Sequence, residues 1–241
     1  MNLNLINEQF KAKFGASGEM FTSPGRVNLI GEHTDYNGGF VFPGAIDKGM
    51  VAEIRLNGTD RVRAYSVDLD DYAEFGLREE DAPEIQKRGG KIAGFDTAFS
   101  GDVPLGAGMS SSAALESTFA NALNELFSLG IDRFELARIG QSTEHNYCGV
   151  KCGIMDQFAS VFGKAGHLMR LDCRSMEFEY FPFDPEKYGY KVVLLDSVVK
   201  HELVGSPYND RRASCERVAA VLGQEFLRGA TMEQLEAVKD K

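Results

Sequence analysis

Apolar residues along the 241-residue chain recur at spacings that predict a mixture of helices and strands. The clearest helix follows a run of three serines. Its apolar positions fall at i, i+4, i+8 and i+11 and so form a single stripe: Leu115, Phe119, Leu123 and Leu126. Gly130 is expected to end this helix, because glycine is a common residue at helix ends.

Weaker patterns extend the prediction to the rest of the chain. Further helices are predicted at four places: 133–144, 154–163, 211–222 and 231–241. Short apolar runs between polar residues predict strands: 50–56, 61–66, 167–173, 177–181 and 191–195. The strongly acidic stretch 68–81 is predicted to be a solvated loop or a sheet edge. Runs of strands and helices without strict alternation favour an α+β fold with a mixed or antiparallel sheet.

The charge balance narrows the class of partner. There are 36 acidic and 26 basic residues, a net charge of −10, which disfavours duplex nucleic acid and anionic membrane surfaces. An acidic chain can still bind a nucleotide through backbone N–H groups, a few cations and a metal. The chain has neither an apolar run long enough to span a membrane nor a secretory signal pattern.

The cysteines point to a reducing compartment. Of the four, at positions 148, 152, 173 and 215, only the first two are close in sequence, and no second pair accompanies them. A zinc site is therefore disfavoured, and free thiols in the cytoplasm are the simpler interpretation.

The segment 101–116, GDVPLGAGMSSSAALE, is the strongest local signal. Gly106 and Gly108 allow a ligand to approach the backbone closely. The serines 110–112 stand at the start of the predicted helix, where unpaired N–H groups and the helix dipole attract phosphate. The segment is neither a Walker A sequence nor a dinucleotide fingerprint, and a Gly-Ser loop that only caps a helix is the alternative.

A second polar segment lies at 25–39, GRVNLIGEHTDYNGG. Arg26, Glu32, His33 and Asp35 place four hydrogen-bonding side chains within ten positions. Carboxylates and imidazole suit the vicinal hydroxyls of a small polyol. A polar surface loop is the alternative, but the apolar residues 27, 29 and 30 would anchor the segment to a core.

These segments carry a family resemblance. Segment 25–39 resembles the signature of galactokinases, and segment 101–116 resembles the phosphate loop of the wider GHMP kinases. A third match, 152–158 (CGIMDQF), resembles the galactokinase segment with the catalytic aspartate. The likeness runs from about Phe14 to Leu222. It implies the GHMP-kinase amino-terminal fold (ribosomal protein S5 domain 2-like), with helices on one face of the sheet.

The resemblance implies the phosphorylation of D-galactose at its C1 hydroxyl by ATP with Mg²⁺, in the Leloir pathway. It implies that Asp156 is the catalytic base and that Arg26 stabilises the transferred phosphate. The implied sugar contacts are Glu32, His33, Thr34, Asp35, Gly153 and Tyr208. The implied ATP contacts are Ser66, Gly106, Ala107, Gly108, Met109, Ser110, Ser111 and Ser112. The implied Mg²⁺ ligands are Ser112 and Glu144.

The low basicity of a carboxylate limits what Asp156 can do as a base. A carboxylate is a weak base and an anomeric hydroxyl is far less acidic than a carboxylic acid. We therefore expect proton transfer only late, as the O–P bond forms. Asp156 would then contribute as much by orienting the hydroxyl as by removing its proton.

The chain departs from the family in two places. Segment 84–90 is shorter than usual just before the phosphate loop, and there is no Trp, which places the adenine contacts in question. The family also continues into a second domain with a further Gly-rich motif. We therefore expect residues 1–222 to form the amino-terminal domain and residues 223–241 to begin a carboxy-terminal one.

Several functional alternatives stay open at this point. One is a kinase for N-acetylgalactosamine or another pyranose, and a second is a non-catalytic sensor of galactose and ATP. The whole serine motif and Asp156 argue against the sensor. A third is an inactive fragment of a kinase. We expect a small-molecule sugar substrate, no nucleic acid or membrane partner, and a monomer.

Overall fold

A computed structural model describes residues 3–77, 93–104, 106–195 and 207–238 of the chain. Within this part, the eight strands are β1 (Glu19–Asn28), β2 (Phe40–Val41), β3 (Pro43–Leu56), β4 (Arg61–Ser66), β5 (Asp71–Gly76), β6 (Phe95–Gly101), β7 (His167–Asp172) and β8 (Phe178–Pro182). The α-helices are α1 (Leu3–Phe14), α2 (Ser111–Leu126), α3 (Arg133–Thr143), α4 (Met155–Phe162), α5 (Pro207–Val221) and α6 (Met232–Val238). A π-helical turn, Glu144–Cys148, follows α3 directly.

The strands form two sheets. The larger sheet has the order β1-β3-β6-β4-β5, and all of its pairs are antiparallel except β4 with β6. The smaller sheet, β2-β7-β8, is antiparallel throughout. The expected α+β class with a mixed sheet is confirmed.

Alternation along β3 places helices on both faces of the larger sheet. Ala52 and Ile54 pack with Ala122 of α2 in one apolar cluster. Glu53, whose side chain points the opposite way, accepts a hydrogen bond from Asn7 of α1. Helices α2, α3 and α4 pack against one another on the first face, as expected. Helix α1, which the apolar pattern did not predict, covers the other face.

A second core links α4 to the smaller sheet. Phe158 and Phe162 of α4 stack with ring centroids 4.3 Å apart, and Phe178 of β8 packs against both rings. Val41 and Leu171, from the other two strands, are buried in the same cluster. This packing fixes the helix whose first turn carries Asp156.

Most predicted boundaries agree with the structure. The helices predicted at 133–144 and 154–163 are present within a residue or two. The helix predicted after the serine run is present as α2, but it ends at Leu126, before the expected end at Gly130. The acidic stretch forms the edge strand β5, whose side chains are exposed, so the prediction of a solvated edge is confirmed for 71–76. Residues 78–92, which include the shortened segment 84–90, lie outside the described residues.

Several predicted boundaries are wrong. Strand β3 begins at Pro43, seven residues before the expected start at Met50. Residues 191–195 form no strand; their side chains are exposed and Leu195 is 90% exposed. Apolar β-branched residues favour a strand only where a neighbouring strand can pair with them, and no described strand does so here. Helix α5 begins at Pro207, four residues before the expected start. Proline is well tolerated in the first turn of a helix.

Candidate active site

A bulge in β1 directs Arg26 into a cleft. The pairing of β1 with β3 shifts register between Pro24 and Arg26, and such a bulge re-aims the following side chain. Gly25 lies so close to the phosphate loop that a Cβ on it would be 2.7 Å from the carbonyl oxygen of Met109. The Arg26 N–H donates to that same carbonyl at 3.2 Å. The missing side chain of Gly25 therefore lets strand and loop meet.

Arg26 joins the phosphate loop to Asp156. Its Nε donates to Oδ1 of Asp156 at 2.8 Å, and its Nη1 donates to the carbonyl of Gly108 at 2.6 Å. The Arg26 side chain is 11% exposed and that of Asp156 is 28% exposed. The pair therefore stands at the wall of the cleft, where the carboxylate can still reach a ligand.

The phosphate loop presents a positive helix end to the cleft. Gly106 and Gly108 both have positive φ, and Ser110 adopts the left-handed conformation with φ 57°. Helix α2 then begins without a side-chain cap and without an acidic residue in its first turn. Its free N–H groups and its dipole are thus available to an anion.

Arg26, Asp156 and the phosphate loop line one cleft of about 520 Å³. Its lining consists of Arg26, Glu32, His33, Pro104, Gly106, Gly108, Met109, Ser110, Ser111, Ser112, Asp156, Tyr208 and Arg211. Residues from β1, the loop that follows β1, the phosphate loop, α4 and α5 therefore meet around one space. The volume falls in the range of small-molecule sites.

Asp35 and Gly153 meet beside the cleft, where Asp35 lines an adjoining smaller cavity. A Cβ on Gly153 would lie 1.8 Å from Oδ2 of Asp35, so only glycine allows the carboxylate to occupy this place. Burial, together with the charge of Asp156, raises the pKa of Asp35 to about 6. This carboxylate therefore lies where desolvation is costly unless a hydrogen-bonding ligand is present.

The rings of His33, Tyr36 and Tyr208 form an aromatic wall beside this carboxylate. The ring of His33 lies 5.9 Å from that of Tyr36 and 5.6 Å from that of Tyr208. Nδ1 of His33 is 2.8 Å from the hydroxyl of Tyr36. Burial, with Asp35 and Asp156 nearby, raises the pKa of Tyr208, which keeps its hydroxyl neutral. Hydroxyl and imidazole groups beside a carboxylate can form hydrogen bonds with the hydroxyl groups of a sugar.

A smaller acidic cavity of about 100 Å³ adjoins the cleft. Ser112, Glu144 and Asp156 line it. Glu144 is 4% exposed, and Glu116 lies next to it. Burial and the charge of Glu144 raise the pKa of Glu116 to about 8. Ser110 Oγ is buried without a hydrogen-bond partner among the described residues. Hard oxygen donors around a polar gap are the ligand type that Mg²⁺ prefers, and the metal roles of Ser112 and Glu144 stay predictions.

Several expected contacts do not line the cleft. Asp35 and Glu144 line the smaller cavity instead, and Gly153 lines neither. Ser66 ends β4 and Ala107 is only half-buried in the loop; neither lines the cleft. The hydroxyl of Thr34 is bonded to the carbonyls of Gly31 and Phe40 instead. The ligand roles of these residues stay predictions.

Other residues at the site were not anticipated from sequence. Arg211 lines the cleft, Gln157 donates to Glu116 at 3.3 Å, and Asn209 and Arg212 reach the loop before α4. Glu116 closes the serine segment, one helical turn after Ser112, and this spacing is the signal that could have revealed it. The others depend on how α4 and α5 pack.

Comparison with known proteins agrees with this geometry. Residues 78–164 match the family model "GHMP kinases N terminal domain", and residues 8–56 match "Galactokinase galactose-binding signature". A mevalonate kinase structure from Methanococcus jannaschii shares the fold, with a TM-score of 0.56 at 19% identity, over 71% of this chain and 58% of that one. The fold and the site thus define the class as a GHMP kinase.

Closer relatives identify the family within this class. The structure of Lactococcus lactis galactokinase complexed with galactose superimposes with a TM-score of 0.82 at 33% identity, over 99% of this chain and 67% of that one. Galactokinase of Thermotoga petrophila is 42% identical over 89% of this chain and 63% of its own length. Galactokinase of Streptomyces coelicolor is 39% identical over 98% of this chain and 65% of its own length. The chain belongs to the galactokinase family, and it spans about two thirds of the length of these relatives.

Proposed function

We propose that this chain transfers the terminal phosphate of ATP to the C1 hydroxyl of D-galactose, which gives galactose 1-phosphate and ADP. The observation that carries the proposal is the contact between Arg26 and Asp156. It stands where the phosphate loop meets the loop that follows β1, so one guanidinium and one carboxylate would face both substrates. The Lactococcus lactis relative, whose structure contains galactose, supports the choice of sugar.

The phosphate end of the site would position the triphosphate. The N-terminus of α2, with the backbone of 106–112, offers N–H donors, and Arg26 adds a fixed positive charge. Ser112 and Glu144 would hold Mg²⁺, which neutralises phosphate charge when bound. Phosphoryl transfer proceeds through a loose transition state, so positioning and charge neutralisation supply most of the rate.

The sugar end would present the acceptor hydroxyl. Glu32, His33 and Asp35 with Tyr208 offer acceptors and donors for the ring hydroxyls. The Asp156 carboxylate would orient the C1 hydroxyl and accept its proton as the new O–P bond forms. Such general base assistance contributes typically ~10²–10⁴-fold.

A coupled ADP-release assay tests the proposal. Wild type should release ADP with D-galactose and MgATP, and Asp156→Asn should lose ~10²-fold or more of the turnover while it still binds galactose in calorimetry. N-acetylgalactosamine and arabinose, assayed in parallel, test the choice of sugar. Galactose-independent ADP release, or equal turnover by Asp156→Asn, would contradict the proposal.

Two features of the proposed enzyme rest on the sequence. A monomeric state and a cytoplasmic location stay predictions. Among the described residues, no helix is long and apolar enough to cross a membrane.

A further inference from the structure

The turn at 149–152 connects the two segments that carry Glu144 and Asp156. It follows the π-helical turn that carries Glu144 and precedes α4, whose first turn carries Asp156. Gly149 enters it with φ 71°. The turn makes three backbone bonds of its own. The N–H groups of Gly149 and Val150 both donate to the carbonyl of Glu144, the latter at 3.0 Å, and Cys152 N–H donates to that of Val150 at 2.9 Å.

Helix α5 bonds further polar groups of this turn, although the carbonyl of Cys152 also lies 2.8 Å from Nε2 of His145 and accepts from Gln141 at 3.4 Å. The side-chain oxygen of Asn209 accepts from the N–H of Lys151 at 2.9 Å, and its amide nitrogen donates to the carbonyl of Gly149 at 2.8 Å. Nη1 of Arg212 donates to the carbonyls of Lys151 and Cys152, both at 2.9 Å. These side chains thus satisfy backbone groups that no helix or strand pairs.

The two side chains act from one face of the helix. Asn209 and Arg212 are three positions apart, so they lie side by side on α5. The Arg212 side chain is 22% exposed and its Nε donates to Glu216 at 2.8 Å. Its guanidinium also stands 5.9 Å from the Tyr36 ring centroid. Arg212 thus contacts both the turn and the aromatic wall of the sugar end.

The same turn of helix places Tyr208. This residue directly precedes Asn209, and its ring packs 5.7 Å from that of Tyr36. A shift of α5 would therefore move the aromatic wall and the turn together. Gly153 follows the turn and is packed closely against Asp35. A shift of the turn would therefore also displace the Asp35 carboxylate.

We propose that Asn209 and Arg212 are positioning residues, which fix the turn 149–152 and thereby the separation of Asp156 from Glu144. The proposal rests on the proposed function. Neither side chain lines the cleft or the acidic cavity, so each acts through the backbone that it holds. Misplacement of a reacting group by about 1 Å can cost ~10²-fold in rate.

Steady-state kinetics on the full chain provide the first test. Arg212→Ala and the near-isosteric Asn209→Asp should lower kcat by ~10²-fold and leave the KM for MgATP unchanged. Arg212→Lys should recover part of the loss, because one ammonium can donate to a carbonyl but cannot present the planar fork of arginine. The control is Arg217→Ala on the same helix. Arg217 is exposed and contacts Ser214, so its loss should leave kcat unchanged.

Amide hydrogen exchange provides a readout that does not need turnover. In Arg212→Ala and Asn209→Asp, peptides that cover 149–153 should exchange faster than in wild type, whereas those of β3 should not. An unchanged kcat in a folded Arg212→Ala, unchanged exchange at 149–153, or an equal loss in Arg217→Ala would overturn the proposal. A wild type without galactose-dependent ADP release would instead refute the proposed function, and the exchange data would still decide whether α5 holds the turn.

Discussion

Nε of Arg26 lies 2.8 Å from Oδ1 of Asp156, although 130 positions separate the two residues in sequence. The same guanidinium also donates to the carbonyl of Gly108. One side chain therefore ties the strand, the phosphate loop and α4 together. A substitution at Arg26 that keeps the positive charge but changes the shape of the side chain should therefore disturb the site.

We expect Arg26→Lys to retain the fold and lose activity. Lysine keeps the positive charge but replaces the planar fork that spans Asp156 and Gly108 with a single compact ammonium. Loss of one fixed donor at a developing charge costs ~10²–10³-fold in kcat, which ADP-release kinetics will measure. Arg170→Lys is the control, because Arg170 forms an exposed ion pair with Glu179. Comparable activity of Arg26→Lys and wild type would show that charge alone is required.

Gly153→Ala should disable sugar binding selectively. Its Cβ would occupy the place of the Asp35 carboxylate, 1.8 Å from Oδ2, so one of the two must move. We expect weaker galactose binding in calorimetry, with MgATP binding unchanged. Gly76→Ala, where a new Cβ meets no atom closer than 4.0 Å, is the matched control. Equal galactose affinity in Gly153→Ala and wild type would rule out this contact as a determinant of sugar binding.

The free energy of unfolding should depend on pH through the buried carboxylate of Asp35. Its pKa is raised from 3.8 to about 6, so between these values the folded chain holds a proton that the unfolded chain lacks. The contribution of Asp35 to the free energy of unfolding therefore increases as the pH falls through about 6, and it is least favourable above 6.

The neutral variant Asp35→Asn isolates this effect. At neutral pH and above it should be more stable than wild type by on the order of 1–3 kcal/mol, and the difference should shrink as the pH approaches 4. Urea unfolding at several pH values measures the difference. Asp47→Asn, at an exposed position of β3, controls for loss of net charge. A difference that does not vary with pH would contradict the assignment.

Ser112→Ala should weaken MgATP binding without affecting the fold. Ser112 is exposed and lines both the cleft and the acidic cavity, so its hydroxyl is available to phosphate and metal. Loss of one hydrogen bond to a charged group corresponds to on the order of tenfold or more in affinity. Titration calorimetry with MgATP measures this, and Ser175→Ala on the surface is the control. An unaltered affinity would remove Ser112 from the set of contacts.

Helices with an amphipathic stripe could be read directly from the chain. The apolar stripe that includes Leu123 predicted α2, because a spacing of 3.6 residues indicates which face of a helix is buried. The strand expected at 191–195 failed because apolar β-branched residues do not provide a pairing partner by themselves. Helix α1 was not predicted, since only Ile6 and Phe10 of its twelve residues are buried.

The residue types and their order along the chain determined the candidate chemistry: a glycine-serine loop before a helix, a cluster of polar groups after an apolar strand, and an aspartate at the start of another helix. Those features are local, because loop conformation and helix ends depend on near neighbours. Only the tertiary structure decided that Arg26 reaches Asp156, that Gly153 leaves room for Asp35, and that Arg212 holds the turn between Glu144 and Asp156. Such contacts depend on how β1, α4 and α5 pack, and packing is set by burial of apolar surface across the whole chain rather than by any single segment.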